Sequence, residues 1–534
     1  MKRLLSMILA SLLIVSAVSV GVSAESLEEV ELGNIVKGYL QAQADAKYLA
    51  ENEGLTAHTL AELSEDELQN VQDTVTQSLV NSDSLENSIT VDVSFAEYME
   101  EKARYIQYTR QAENLNISNY SVTYGTPEIE MGDGVAKVKI FETVSMQYDG
   151  LDEMSAISTE YVLDLIQVNN QWIIVNITSD DMFDRSHPRE SFNYETAVAE
   201  YDAAMSAPSE IVVEQDVSKL IEELEAAGTS PIAYDRTSAA NYSLTFTTST
   251  GSDTRSYYND NFANYVSSGG DCMNYASQCL YAGFGGSDDK AAIDGFAFPM
   301  DRTGSSDPKK WFTNSSGGSW SPSWIGTQSF LNYANAANGD TPSEDNILFN
   351  VYKPSAGVDL SGIYNWQNRL LGSVVLLYDD GHAMVISKVT GSSPSQIFVS
   401  AHTSDVKLVP LSQCFDSTDY SLGYHIIVPE GYYSYTNTPN CRVVSKWQDA
   451  VAQNTTLNLS ATAVRKSGGS VYRMAMRIIT PSGAEQWQGE TLNTTKYSKS
   501  YQFTEKGLYT ITVYARETSS SSNSVSSTIS VRVY

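Results

Sequence analysis

The chain has 534 residues, a net charge of −32 and a pI of about 4.4. So acidic a surface repels nucleic acid and anionic membrane, which excludes both as partners. Apolar residues make up 42% of it, enough for packed cores rather than disorder, and the length allows about three domains.

Lys2 and Arg3 precede an apolar run from Leu4 to Val20, and Val22-Ser23-Ala24 is a small-residue cleavage site. Residues 1–24 therefore read as a signal peptide. The mature chain is expected to be secreted, extracellular or wall-associated. No later stretch is long and apolar enough to span a bilayer.

Residues 25–192 open with helix formers. Leu27, Val30, Leu32, Ile35, Val36 and Leu40 recur at helical spacing, as do apolar positions from Phe95 to Ile106. From Tyr120 the period changes to two. Gly132-Asp133-Gly134 and Asn169-Asn170 then mark the turns of antiparallel hairpins. Helices followed by a meander suggest a cystatin-like α+β module. It shows no ionisable cluster, and its histidines His58 and His187 read as surface residues. Residues 193–253 read as a helical linker, helical from Glu195 to Ala227 with a break at Pro208, then polar and rich in Ser and Thr. Residues 254–428 hold the chemistry. Residues 429–534 show short alternating strands, such as Thr456–Ala461 and Leu508–Tyr514, and are expected to form an Ig-like β-sandwich. Periodicity stops near 228–254 and 429–436, so a fragment 229–436 is expected to fold alone.

Four cysteines in 534 residues do not make a disulfide framework. Cys414 and Cys441 could pair. Cys272 and Cys279 fall on one predicted helix, roughly 10 Å apart and out of bridging range. Asp271 suits the N-cap of that helix and Gly283 its C-terminal stop. Cys272 then lies in the first turn, where the helix dipole is expected to lower its pKa. Cys279 lies two turns on, on the apolar face, and reads as core. Two histidines stand at strand edges downstream. His382 follows the strand Gly372–Tyr378 and the turn Asp379-Asp380-Gly381. His402 ends the strand Gln396–Ala401. If Val389 pairs with Gln396, His402 falls opposite Ala383, within one position of His382. A helix-start thiol with a nearby imidazole is the equipment of nucleophilic amide hydrolysis. Cys272, His382 and His402 could alternatively hold a zinc ion with a water in the fourth position.

The motifs Gly270-Asp271-Cys272, Asn274 and Ser277-Gln278-Cys279-Leu280 resemble the signature of the sixth amidase family of bacteria. Trp320, Trp324, Phe330 and Tyr333 resemble its tryptophan-rich middle, and Gly381-His382-Ala383 and His402-Thr403-Ser404-Asp405 its histidine segments. The resemblance covers roughly residues 255–428. Ser373 departs from it, standing where an aspartate is usual, and the acidic insert before the histidine is reduced to Asp379-Asp380. The resemblance implies a papain-like fold of the NlpC and CHAP clan, and hence an α+β chain with that domain between the two flanking modules. It implies Cys272 as nucleophile, His382 as general base and acid, and His402 as the group orienting His382, with Asp405 the alternative. The oxyanion would meet the Cys272 N–H and a second donor, Asn274 or Tyr258. No metal and no organic cofactor are implied. Clan membership and export together suggest an amide bond of cell-wall peptides as substrate. Trp320, Trp324 and Trp366 would either line the cleft or pack the core. Two other classes fit the sequence: a catalytically inactive surface-binding protein, and a transglutaminase-like acyl transferase.

Overall fold

The computed structural model describes residues 27–49, 89–92, 94–168, 170–207, 210–218, 221–222, 232–248, 257–266, 270–295, 300, 310–335, 347–378, 381–432, 441–446, 450–465, 471–494, 496–516 and 524–533. Residues 1–24, expected to be a signal peptide, together with His58 and Asp379-Asp380 lie outside the described residues. The chain is α+β, with 33% helix and 36% strand.

Two helices, α1 (Leu27–Tyr48) and α2 (Phe95–Ala112), cover one face of an antiparallel sheet. Its strands are β1 (Ile117–Tyr124), β2 (Glu128–Met131), β3 (Val135–Tyr148), β4 (Ser155–Val168) and β5 (Gln171–Ser179). The turn residues work as the sequence suggests: Gly134 has φ +74 between β2 and β3, and Asn170 has φ +61 between β4 and β5. Leu32, Val36, Phe95 and Met99 from the helices meet Val138, Leu163, Leu165 and Val175 of the sheet in one core. A short helix, α3 (Met182–Ser186), follows β5, capped by the Asp181 carboxylate accepting from Phe183 N at 2.9 Å.

The segment expected to be a helical linker is helical only in part. Helix α4 (Tyr194–Ser206) ends before Pro208. Strand β6 (Ile211–Gln215) then joins a sheet, and β7 (Ile232–Ala233) leads into helix α5 (Arg236–Thr245). Helix α6 (Cys272–Gly283) packs on α5, with Tyr242 donating to Gln278 Oε1 at 2.7 Å and Tyr275 to the Ser243 carbonyl at 2.7 Å. Beneath them run β8 (Ile347–Pro354), β9 (Val374–Leu376), β10 (Ala383–Val389), β11 (Ile397–Ala401), β12 (Asp405–Pro410) and β13 (His425–Tyr432). Alternation divides these strands. Val374, Leu376, Ala383, Val385 and Ile427 face the α6 side, while Val375, Met384, Ile386 and Ile426 face a second core.

The two sheets are one. The order runs β1-β3-β4-β12-β11-β10-β9-β13-β8-β6. Strand β4 is long enough to serve two partners. Its first residues pair with β12 (Ser158↔Asp405, Ile157↔Val406, Ala156↔Lys407) and the remainder with β5. A core made of Val144, Met146 and Tyr148 with Phe398 and Leu408 spans the joint. The fragment 229–436 would lose these β4 partners and expose that core. We expect it to be insoluble or molten by near-UV circular dichroism, with a 25–436 fragment folded; a sharp melt for 229–436 would show the joint to be dispensable.

The N-terminal module does contain an ionic cluster. Lys102 is fully buried and reaches Asp181 at 2.8 Å and Asp184 at 2.5 Å. His187 is also buried rather than on the surface, stacked on Phe183 at 4.2 Å, because the aromatic cluster under α2 needs a flat ring there. Burial pulls its imidazole down to about 4. The unfolded chain therefore binds the extra proton between about pH 4 and 6.5. The stability due to the neutral ring is fully present above that window and is lost as pH falls through it. Relative to His187→Gln, the protein should lose up to about 3 kcal/mol between pH 7 and pH 4. Parallel urea titrations of both proteins check this, and a pH-independent difference would refute it.

After β13 the chain forms two packed antiparallel sheets. One holds Cys441–Lys446, Thr456–Arg465 and Lys496–Gln502. The other is built around Val471–Ile479 and Gly507–Arg516. Leu459, Met474, Met476, Ile511 and Val513 fill the space between them, which makes a sandwich. Cys414 is buried, its thiol against the Pro410 carbonyl at 3.6 Å.

Candidate active site

Gly270 has φ +133, a conformation open to glycine alone, and turns the chain into α6. Asp271 occupies the N-cap position, and its carbonyl takes the first helical hydrogen bond, from Tyr275 N at 2.9 Å. Its carboxylate does not cap. One oxygen accepts from Tyr265 N and Asn274 Nδ2, both at 2.8 Å, and the other meets His402 Nδ1 at 2.8 Å. Cys272 follows, partly exposed. Its Sγ lies 4.0 Å from the Gly381 carbonyl oxygen and receives the Ala383 N–H. The thiol thus touches the backbone on both sides of His382, which is itself buried at the mouth of β10.

Burial pushes the Cys272 thiol up, reversing the expected lowering. The Ala383 N–H, the Arg185 charge and the Met273 N–H draw it back down, while the Asp271 carboxylate adds to the rise. Helix position alone therefore does not make this thiol acidic; its proton must pass to a base. Cys279 lies wholly in the core, where burial raises its pKa well above the ordinary value. Iodoacetamide should therefore label Cys272 and spare Cys279 in the folded protein. Peptide mapping that found Cys279 labelled first would refute the choice of thiol.

His402 is placed differently from the expectation. Val385 pairs with Ser400 and Ile386 with Val399, and a bulge then shifts Val389 to Ile397. Extending the first two pairs brings His402 opposite Ala383, as anticipated. Its ring, however, turns away from His382. Nδ1 bonds Asp271 and Nε2 bonds the Phe246 carbonyl. Both ring nitrogens are thus held against protein oxygens. Tyr258 stacks on the imidazole ring at 3.6 Å and Tyr275 at 4.1 Å. His402 therefore anchors the start of α6 instead of orienting His382. With both nitrogens held by protein oxygens, the ring is not turned outward as a zinc ligand.

Asp405 supports His402 from behind. It accepts from Tyr257 at 2.9 Å, from Tyr258 at 2.5 Å and from Thr403 N at 3.1 Å. Thr403 and Ser404 both have positive φ, +57 and +70. For β-branched Thr403 this is strained, at a cost on the order of 1–3 kcal/mol. Asp271 N donating to Thr403 Oγ1 at 2.6 Å and Ser404 Oγ donating to the Asp180 carbonyl at 2.7 Å hold the turn.

The two candidate oxyanion donors are otherwise engaged. Asn274 gives its amide hydrogens to Ala263 O and Asp271 and takes Trp324 Nε1 at 2.8 Å. The Tyr258 hydroxyl serves Asp405. Trp324 is buried in the core and Trp366 packs against the opposite core, whereas Trp320 is exposed. Sequence reasoning treated Asp271 only as a cap, although an acid immediately before the cysteine was the available signal. It also passed over His425. This ring is buried at the start of β13, level with Leu376 and hence with Ala383, and sits 3.3 Å from Glu214. Among the described residues no group of three or more His, Cys, Asp or Glu could hold a metal ion.

The site is thus a helix-start thiol against a histidine-bearing strand mouth, which is chemically equipped for acyl transfer. Residues 233–427 match the family described as "Putative amidase domain". This segment, less than half of the chain, is an amidase-family domain and includes every candidate residue above. Among solved structures, a chitin-binding domain from Burkholderia pseudomallei is 14% identical over 16% of this chain and 58% of its own length, with a TM-score of 0.13. The CARDB domain of a Pyrococcus furiosus protein in complex with di-metal ions is 18% identical over 18% of this chain and 90% of its own, with a TM-score of 0.14. No curated protein matches the chain.

Proposed function

We propose that the chain is a secreted cysteine amidase with a papain-like catalytic layout, hydrolysing an amide bond of cell-wall peptides. One observation carries the reading: within the amidase segment, the Cys272 thiol rests on the backbone at Gly381 and Ala383, bracketing His382. His382 takes the Cys272 proton, and the sulfur attacks the amide carbonyl. The resulting oxyanion meets the Cys272 N–H at the head of α6. His382 then protonates the leaving amine, and water hydrolyses the thioester by the reverse roles. Asp271 and His402 hold the helix start in register, and Asp405 holds His402. Secretion rests on Lys2-Arg3, the apolar run and Ala24. No helix among the described residues is long and apolar enough to cross a membrane.

The test is mass spectrometry of purified wall fragments incubated with wild type and with Cys272→Ala. New amine and carboxylate ends with wild type alone support the reading. Fragments left intact by wild type would sink the wall substrate. Coupling to an added amine in preference to hydrolysis would make the protein an acyl transferase.

A further inference from the structure

We infer that Trp487, on the outer face of the C-terminal sandwich, is the platform of a glycan site that takes a sugar ring of a polysaccharide built from β-linked pyranoses. The inference goes beyond the proposed amide chemistry and does not depend on it. Met474, Met476 and Ile478 of the strand Val471–Ile479 point into the sandwich core. Arg477, between them, therefore points outward. It shares a cross-strand row with Trp487 of the strand Glu485–Thr494 on one side and Thr512 on the other. Tyr514 stands one row away on the same face, opposite Ala475. Trp487 reaches across this strand and stacks on Tyr514, with ring centres 5.5 Å apart and planes at 30°. Its indole N–H donates to Glu485 at 2.7 Å, and the Arg477 guanidinium lies 5.7 Å from the Tyr514 ring centre. The indole is thus held in one orientation, yet Trp487 is 57% exposed. With one face on Tyr514, it turns the other to water. Apolar surface fixed open in this way is preorganised for a ligand. Size and chemistry name the occupant. A protein partner needs roughly 800 Å2 on each side, whereas the open part of an indole offers on the order of 150 Å2. That suits one small ring. The rim is polar, with the Glu485 carboxylate and the Arg477 guanidinium both partly exposed and 3.8 Å apart. A pyranose with equatorial substituents is complementary to both parts. Its flat face of axial C–H groups lies on the indole, and its edge hydroxyls donate to the carboxylate and accept from the guanidinium.

Affinity electrophoresis of the full chain tests this, in gels containing either peptide-free wall glycan strands or hydroxyethyl cellulose, a neutral β-linked glucan. The wild type should be retarded by at least one of the two. Trp487→Ala should weaken that binding by roughly 10-fold or more, as for loss of an aromatic anchor. Trp487→Phe, which keeps a flat ring, should retain a larger share. If Trp487→Ala lowers the melting temperature, Glu485→Ala carries the test, since loss of the rim acceptor should also weaken retardation. Retardation of wild type by neither polymer overturns the inference. So does equal retardation of wild type and Trp487→Ala. A wild-type dimer in sedimentation equilibrium that Trp487→Ala turns into a monomer also overturns it, by making the occupant a second copy of this chain. Glycan binding that depends on Trp487, in a protein that cleaves no wall amide, upholds the glycan site and sinks the amidase reading alone.

Discussion

Asp271→Ala is expected to destabilise the protein by several kcal/mol, because three buried groups lose their shared acceptor at about 1–3 kcal/mol each. His402 would keep only the Phe246 carbonyl, and Tyr265 N and Asn274 Nδ2 would lose their shared acceptor. Asp271→Asn should cost less, because an amide oxygen still accepts from Tyr265 N or the imidazole. His402→Gln should cost about as much as Asp271→Ala. The double variant Asp271→Asn/His402→Gln should cost less than the sum of the two single changes, since both single changes break the same buried hydrogen bond. Urea denaturation of the four proteins decides the matter. Strictly additive losses would mean that the pair is not coupled.

Cys272→Ala should abolish amide hydrolysis, and His382→Ala should come close to it. Each should lower kcat by at least roughly 10^4-fold, with melting temperatures near wild type. The Cys272 thiol makes only a weak 4.0 Å contact to the Gly381 carbonyl, whereas Asp271 holds three buried groups, so activity and stability should separate here and not at Asp271. Steady-state rates on the fragment released in the wall digest give the comparison. Near-normal turnover by His382→Ala would remove it as the base and turn attention to His425, another buried imidazole at that end of the sheet.

What could be read from the sequence was local. The start of α6 was legible because Gly270, Asp271 and Gly283 are short-range signals, and the hairpins because Gly134 and Asn170 adopt the φ their turns demand. The core position of Cys279 followed from helical spacing. The bond between Asp271 and His402 was not legible, since 131 residues separate them and a cap residue looks the same whether or not it caps. His187 was misplaced because a lone histidine in a polar stretch gives no sign of the aromatic rings that enclose it. The lowered thiol pKa failed for a physical reason: the helix terminus was counted, but the desolvation of the sulfur was not. Strand β6 was missed because five residues between helices carry too little alternation to be recognised.

The shared strand β4 also constrains how the molecule acquires its shape. Ser155 donates to the Leu408 carbonyl across 253 residues of chain. The β11–β12 turn that presents His402 is secured on one side by Asp271 and on the other by Asp180 and β4. Closing so large a loop is slow, and the contacts that reward it come only after the closure. The turn therefore locks only once both ends of that loop have met. A nascent or partly threaded chain carries Cys272 without the finished support around it, so activity appears at the end of folding.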